Sequence, residues 1–164
     1  MGYTTDFTGS FTLTPPLNQA QVDYLKAFSE SRRMERSELK CKDVADPLRE
    51  AVGLPVGEEG CYCVFSAADG NNGQTFDPTI TDFNRPPKSQ PGLWNQWLPN
   101  DEGTEIKWNG FEKFYNYIEW MDYINQNFLK PWGITIDGYI SWAGEDSEDK
   151  GVLEAKQGEI SFRY

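Results

Sequence analysis

The sequence predicts a single α+β domain, in which two principal helices pack on a mainly antiparallel sheet. Two long segments, about 18–33 and 111–130, carry apolar residues at helical spacing. Shorter segments alternate apolar and polar residues, and three of them follow one another at the end of the chain, as in an antiparallel meander. A chain of 164 residues is long enough for one hydrophobic core, so the domain is expected to span residues 1–164.

The first strand and the first helix are predicted close together. Residues 7–13, FTGSFTL, alternate apolar and small polar side chains, which predicts a strand that ends at Pro15. Asn18 is a predicted N-cap for the helix over 18–33. The apolar stripe of that helix includes Val22, Leu25 and Phe28.

The middle of the chain has weaker patterns. Residues 34–60 are charged and poorly periodic, which predicts a surface insertion with a short helix near 43–52. Residues 61–66, CYCVFS, predict a strand. Residues 67–92 are rich in Gly, Asn, Asp and Pro, and the phenylalanines among them favour a long ordered loop.

The second half of the chain has stronger patterns. Residues 93–98 and 104–108 flank the turn sequence PNDEG and predict a hairpin. The helix over 111–130 has a continuous apolar stripe and stops before Pro131. The three closing strands are predicted at 134–142, 151–155 and 159–164.

The charge and the termini limit the partners of this chain. Fifteen basic and 26 acidic side chains give a net charge of −11, which argues against broad binding to DNA, RNA or an anionic membrane. No segment reaches transmembrane length, and the first residues lack a signal-peptide pattern. Three cysteines do not form a disulfide framework and fit a reducing compartment. We therefore expect a cytoplasmic protein.

The residue types exclude several kinds of catalytic site. Histidine is absent, which removes the Ser-His-Asp triad, the Cys-His dyad and the usual zinc ligands. The glycine-rich segments lack the pattern of a phosphate-binding loop. The sequence therefore predicts no metal and no cofactor, and it favours a protein without catalytic activity.

Several motifs together resemble a family of small proteins from bacterial and phage genomes. These motifs are Gly2-Tyr3-Thr4-Thr5-Asp6-Phe7, Ser31-Arg32-Arg33-Met34, Asn84-Arg85-Pro86-Pro87, Gln90-Pro91-Gly92-Leu93-Trp94 with Gln96-Trp97, Glu112-Lys113-Phe114-Tyr115, Trp120, and Gly138-Tyr139-Ile140-Ser141-Trp142 with Gly144-Glu145-Asp146. The resemblance covers most of the chain except residues 37–62. It implies one shared fold, and no activity is known for the family.

Arginine and tryptophan supply the main candidates for ligand binding. The segment 83–97 contains three prolines, which stiffen it, and it presents aromatic and carboxamide groups. Arginine forks bind phosphate or carboxylate, and aromatic faces stack on bases or sugars. The candidate ligand-binding residues are Arg32, Arg85, Trp94, Gln96, Trp97 and Tyr115. In the alternative interpretation, the arginines pair with carboxylates and the tryptophans fill the core.

Carboxylates supply weaker catalytic candidates. Glu112 and Glu119 are seven residues apart, which places them on one face of the predicted helix, as for an acid–base pair. Glu145 opens the acidic run 145–149, which lacks EF-hand spacing. The alternatives are that Glu112 stabilises the helix N-terminus and that the acidic run is a solvated hairpin turn.

The leading functional hypothesis is a binding protein that recognises a small anionic or nucleotide-like ligand, for sequestration or sensing. One alternative is an acidic protein that binds a protein partner, such as a phage-type inhibitor of a host complex. The other alternative is a carboxylate-based hydrolase. The sequence alone does not give the oligomeric state or place the arginine and tryptophan motifs relative to each other.

Overall fold

The structure is a computed structural model that describes residues 2–41, 46–55 and 79–164. The described part is α+β with a mainly antiparallel sheet, which confirms the predicted fold class. The chain divides into two compact units. Unit 1 comprises Met1–Gln19 with Gln96–Tyr164, and unit 2 comprises Ala20–Asn95.

The helices and strands of the described residues are numbered along the chain. In order, they are β1 (Thr5–Thr14), α1 (Gln19–Glu30), β2 (Glu35–Arg36), α2 (Glu38–Cys41), α3 (Pro47–Ala51), β3 (Ile80–Asp82), β4 (Trp97–Pro99), β5 (Glu105–Trp108), α4 (Tyr117–Ile124), a π-helix (Asn125–Leu129), β6 (Thr135–Gly144), β7 (Lys150–Lys156) and β8 (Glu159–Arg163).

Unit 1 is built on a six-stranded antiparallel sheet of strand order β4-β5-β1-β6-β7-β8. The two long central strands, β1 and β6, pair along their whole length, from Thr5 opposite Gly144 to Thr14 opposite Thr135. The predicted opening strand, the hairpin of β4 and β5, and the three closing strands are all confirmed. The first hairpin strand is shorter than predicted, because it begins at Trp97.

One face of this sheet carries the core of unit 1. Phe11 and Leu13 on β1 are buried while Thr12 between them is exposed, as expected from the two-residue repeat of a strand. Tyr117, the first residue of α4, contacts the rings of Phe7 and Trp142 at centroid distances of 5.0 and 5.6 Å. The helix thereby packs against the centre of the sheet.

The helix predicted over 111–130 begins later than its apolar stripe indicates. Lys113 and Asn116 have φ angles of 61° and 58°, which are left-handed and cannot continue a right-handed helix. The α-helical part is therefore Tyr117–Ile124, and the π-helix carries the helical segment on to Leu129.

Unit 2 contains α1 and a two-stranded sheet of β2 and β3. The helix predicted over 18–33 is observed over Gln19–Glu30, and it buries Val22, Tyr24, Leu25, Phe28 and Ser29. The short helix predicted near 43–52 is observed as α3, where the Asp46 carboxylate accepts a 3.3 Å hydrogen bond from the Arg49 N–H.

Some predicted elements lie outside the described residues. These are the strand at 61–66 and the part of the long loop before residue 79. The description of 34–60 as a surface insertion stays a prediction, although Met34, Cys41 and Arg49 in this segment are buried. Within the described ranges, every helix is too short or too polar to cross a membrane.

Candidate functional site

The turn after β3 brings Arg32 and Arg85 to the same place in unit 2. The guanidinium carbon of Arg32 lies 4.4 Å from the centroid of the Phe83 ring, within the range of a cation–π contact. Arg32 Nε donates a 3.1 Å hydrogen bond to the main-chain oxygen of Phe83, and Nη2 donates a 3.5 Å bond to Asn84 Oδ1. Arg85 is the next residue along. We call Arg32, Phe83, Asn84 and Arg85 the arginine turn.

Local hydrogen bonds determine the shape of the arginine turn. The N–H of Asn84 donates to Asp82 Oδ1 at 2.9 Å, an arrangement that favours a tight turn after a strand. The N–H of Glu35 donates to the Arg85 carbonyl at 2.8 Å, and Glu35 on β2 pairs with Asp82 on β3. The turn is therefore held by the two-stranded sheet of unit 2.

The two guanidinium groups differ in how firmly they are held. Burial lowers the pKa of Arg32 from its ordinary value, yet an arginine keeps its charge at neutral pH. The Arg85 side chain is 76% exposed, and its Nε lies 3.5 Å from Asp82 Oδ2. Exposed ion pairs of this kind contribute about 0–1 kcal/mol, so Asp82 holds the Arg85 guanidinium only weakly.

Trp94 lies on a segment joined to the residue after Arg32. The Arg33 N–H donates a 2.8 Å hydrogen bond to the Leu93 carbonyl, and Trp94 follows as a half-buried side chain. Three of the six predicted ligand-binding residues therefore lie on connected segments of unit 2. The sequence did not predict that Phe83 and Asn84 contact the Arg32 guanidinium, although both residues lie at the start of the proline-rich segment 83–97.

Arg33 differs from its neighbour Arg32. Its side chain is fully buried, with the guanidinium carbon 4.0 Å from the centroid of the Phe28 ring. Its Nε donates a 3.1 Å hydrogen bond to Gln90 Oε1. Arg33 therefore belongs to the interior of unit 2, while Arg32 is presented at the arginine turn.

Gln96 and Trp97 belong to unit 1 and serve its interior. Trp97 is fully buried, and its indole N–H donates to the Tyr117 carbonyl at 2.9 Å. Gln96 Nε2 donates to the Glu112 carbonyl and Oε1 accepts from the Trp108 indole, both at 3.1 Å. These contacts match the alternative interpretation, in which the tryptophans fill the core, and they leave Gln96 and Trp97 buried.

Tyr115 is an exposed residue of unit 1. Its side chain is 52% exposed, and its hydroxyl accepts a 3.2 Å hydrogen bond from the Tyr3 N–H. It therefore supports the start of the chain near β1. A role for Tyr115 in ligand binding stays a prediction.

The carboxylate candidates do not form the predicted pair. Glu112 precedes α4, so the prediction that Glu112 and Glu119 share a helix face is wrong, because the helix begins only at Tyr117. Glu119 lies in the first turn of α4, where a carboxylate stabilises the positive helix end. Glu145 Oε1 accepts a 2.9 Å hydrogen bond from the Thr4 N–H.

The acidic run 145–149 forms the connection between β6 and β7. The Tyr3 hydroxyl donates to Asp149 Oδ2 at 2.7 Å and accepts from the Asp146 N–H at 3.1 Å. The indole N–H of Trp142 donates to Asp149 Oδ1 at 3.2 Å. Protein donors thus occupy both oxygens of the Asp149 carboxylate, and nowhere in the described residues do three Cys, Asp or Glu side chains cluster to hold a metal ion.

Comparison with known proteins adds no family to this description. The chain matches no family model, no curated protein and no solved structure. The resemblance to a bacterial and phage family therefore stays a prediction from the motifs.

Proposed function

We propose that this protein binds a small anionic ligand at the arginine turn. The observation that carries the proposal is the placement of Arg32, whose guanidinium is stacked on Phe83 and hydrogen-bonded to the turn, directly beside the exposed Arg85. The action is sequestration or sensing, without a chemical step. A cytoplasmic location stays a prediction from the sequence.

The fixed guanidinium supports this proposal. A planar arginine fork matches the oxygens of a phosphate or carboxylate, and a fork that is already oriented loses less entropy on binding. Within the described residues, the bonds of Arg32 to protein use Nε and Nη2, so Nη1 is available to a ligand. Arg85 adds a second, adjustable charge.

The aromatic side chains near the turn support a nucleotide-like ligand. Phe83 is 37% exposed beneath Arg32, and Trp94 is half-buried on the segment that is joined to Arg33, so each ring leaves part of its surface exposed. Stacking of a base on an aromatic ring contributes about 1–3 kcal/mol. A net charge of −11 opposes long polyanions, which favours a small ligand over a nucleic acid.

The test is thermal unfolding in the presence of inorganic phosphate, mononucleotides, cyclic dinucleotides, nicotinamide dinucleotides and sugars. A ligand at 100 times its Kd stabilises the native state by about 2.7 kcal/mol. The Arg85→Ala and Arg32→Lys variants should each lose the stabilisation, because Lys keeps the charge of Arg32 but not its fork.

Arg163→Ala is the matched control. Arg163 is also an exposed arginine, with a side chain 67% exposed and Nη1 4.0 Å from Glu154 Oε1, but it lies on β8 of unit 1. A hit that survives both Arg32→Lys and Arg85→Ala, or that Arg163→Ala weakens equally, would rule out the arginine turn as the site. A flat response across the panel would count against a small-ligand function.

A further inference from the structure

In the part of the chain that the structure describes, strand β8 forms an open edge of the unit 1 sheet. It is last in the strand order and, among the described residues, pairs only with β7. Open edges invite pairing with another chain, and proteins usually blunt them with short strands, charged side chains (lysine above all), proline or a bulge. The sequence of β8, Glu-Ile-Ser-Phe-Arg, contains neither lysine nor proline, and its two charged residues have opposite signs. This edge is therefore suited to strand pairing.

The turn before β8 determines which main-chain groups face the open edge. Residues 157–158 have φ angles of 50° and 83°, both left-handed as in a type I′ hairpin turn. Lys156 and Glu159 flank this turn and lie opposite each other. Their main-chain groups face one another, so alternation along the strand points the N–H and C=O of Ile160 and Phe162 to the open edge.

The aromatic side chains at the end of β8 leave apolar surface exposed. Phe162 is 50% exposed, whereas its partner on β7, Leu153, is 1% exposed on the same face of the sheet. Tyr164 is 86% exposed, and its ring centroid lies 5.7 Å from that of Trp142. The apolar face of the sheet thus continues onto β8 as exposed aromatic surface of the kind that is enriched in interfaces.

The sequence of β8 is complementary to itself in one antiparallel register. A two-fold axis through Ser161 places Glu159 of each copy opposite Arg163 of the other, and Ile160 opposite Phe162. Ile160 and Phe162 carry the edge-facing groups, so each of their N–H groups meets a C=O of the second copy. An axis through Ile160 or Phe162 does not bring glutamate opposite arginine, so charge selects the first register.

We propose that a second copy of this chain pairs antiparallel with β8, so that one continuous sheet crosses a two-fold interface. Such an interface is closed, which limits assembly to a dimer. Two chains of charge −11 repel each other, but at 0.15 M ionic strength charges are screened beyond about 8 Å, while the Glu159–Arg163 pairs act at contact. This surface does not depend on the arginine turn.

A charge swap tests the register by sedimentation velocity over a range of protein concentrations. Glu159→Arg and Arg163→Glu each replace two attractive cross-strand pairs with two repulsive ones, so each should raise the dimer Kd by about tenfold or more. The double variant Glu159→Arg/Arg163→Glu restores opposite charges and should return the Kd to near that of the unmodified protein.

Folding of these variants is checked by thermal unfolding. Glu159 also lies 3.7 Å from Lys130, and Arg163 lies 4.0 Å from Glu154, but all four side chains are at least one quarter exposed and such pairs contribute little to stability. Phe162→Pro gives an independent test, because it removes an edge-facing N–H while leaving the ladder to β7, and Phe162→Ala is its control.

A cysteine cross-link tests the two-fold position directly. Ser161 of one copy lies opposite Ser161 of the other, at a Cα separation of about 4.5 Å for a non-hydrogen-bonded pair, which suits a disulfide. Ser161→Cys should therefore form a covalent dimer on mild oxidation. Ser141→Cys, at an exposed position on central strand β6, and the unmodified protein should not.

The sedimentation and cross-linking results together support or overturn the proposed dimer. A concentration-dependent dimer that is weakened by either single charge change, restored by the swap and trapped by Ser161→Cys supports the proposal. If the protein stays monomeric at millimolar concentration and Ser161→Cys forms no cross-link, the proposal is overturned. The open edge of β8 would then be available only to a different protein. A dimer whose Kd is unchanged by the charge variants and that forms no Ser161→Cys cross-link also overturns the proposal, because another surface then mediates the association.

Discussion

The indole N–H of Trp97 donates a 2.9 Å hydrogen bond to the main-chain carbonyl of Tyr117, the first residue of α4. The Trp97 ring also lies 5.1 Å, centroid to centroid, from both Phe7 and Phe114 in edge-to-face geometry. One side chain thus joins the edge strand β4 to the start of the helix. This explains why a tryptophan in a segment that looks like a ligand surface is fully buried.

Trp97→Phe should destabilise the protein without affecting ligand binding. The change removes one hydrogen bond to the Tyr117 carbonyl and creates a small cavity around a fully buried side chain, so we expect a loss of about 1–3 kcal/mol in the free energy of unfolding. Urea unfolding measures it. The half-buried Trp94 supplies the control, since Trp94→Phe should cost less. A Trp97→Phe protein of unchanged stability would contradict the core assignment.

Tyr24→Phe should weaken unit 2. Tyr24 is fully buried, and its hydroxyl accepts a 2.6 Å hydrogen bond from Arg49 Nη1. Bonds to charged groups contribute about 1.5–3 kcal/mol, and this change removes one of the bonds of a buried guanidinium. Denaturant unfolding should show a loss in that range. Tyr164→Phe, at an exposed position, should change stability by less than about 0.5 kcal/mol, and equal effects of the two changes would argue against the Arg49 bond.

Asp46 should give the stability a dependence on pH. Burial raises the pKa of its carboxyl to about 6, although the Arg49 N–H bond and the charges of Arg49 and Arg33 oppose the shift. A raised pKa means that the folded state binds the proton more tightly than the unfolded state does. The Asp46 contribution to stability is therefore greatest below the unfolded pKa, falls as the pH rises towards 6, and is constant above it.

Asp46→Asn isolates this contribution, because Asn also caps helices well. The difference in unfolding free energy, unmodified protein minus variant, should decrease by about 1–3 kcal/mol between pH 4 and pH 7. Denaturant titrations of both proteins at matched pH values measure it. A difference that stays constant over this range would show that Asp46 does not titrate with a raised pKa.

Phe83→Leu should weaken ligand binding at the arginine turn. Leucine keeps an apolar side chain beneath Arg32 but removes the cation–π contact, which contributes about 0.5–1 kcal/mol at an exposed site. The Kd of the ligand identified by thermal unfolding should rise about two- to fivefold, as measured by calorimetry. Phe111→Leu, at an exposed position of unit 1, should leave the Kd unchanged, and an unchanged Kd in Phe83→Leu would remove Phe83 from the site.

Local sequence patterns determined most of the secondary structure. The stripe of Val22, Leu25 and Phe28 predicted α1, and the alternation after residue 134 predicted β6, β7 and β8, because each pattern depends only on the geometry of one element. The turn sequence PNDEG likewise predicted the hairpin of β4 and β5.

Only the tertiary structure decided which side chains are buried in the core and which lie at the candidate site. Neighbours such as Arg32 and Arg33 have the same chemistry, yet one stacks on Phe83 and the other is buried against Phe28. The first residue of α4 could not be predicted from the apolar stripe either. Lys113 has a left-handed main chain, and it lies in a segment that Gln96 holds by a hydrogen bond to the Glu112 carbonyl. Burial and main-chain strain depend on residues that are distant in sequence, and a local sequence pattern does not identify those residues.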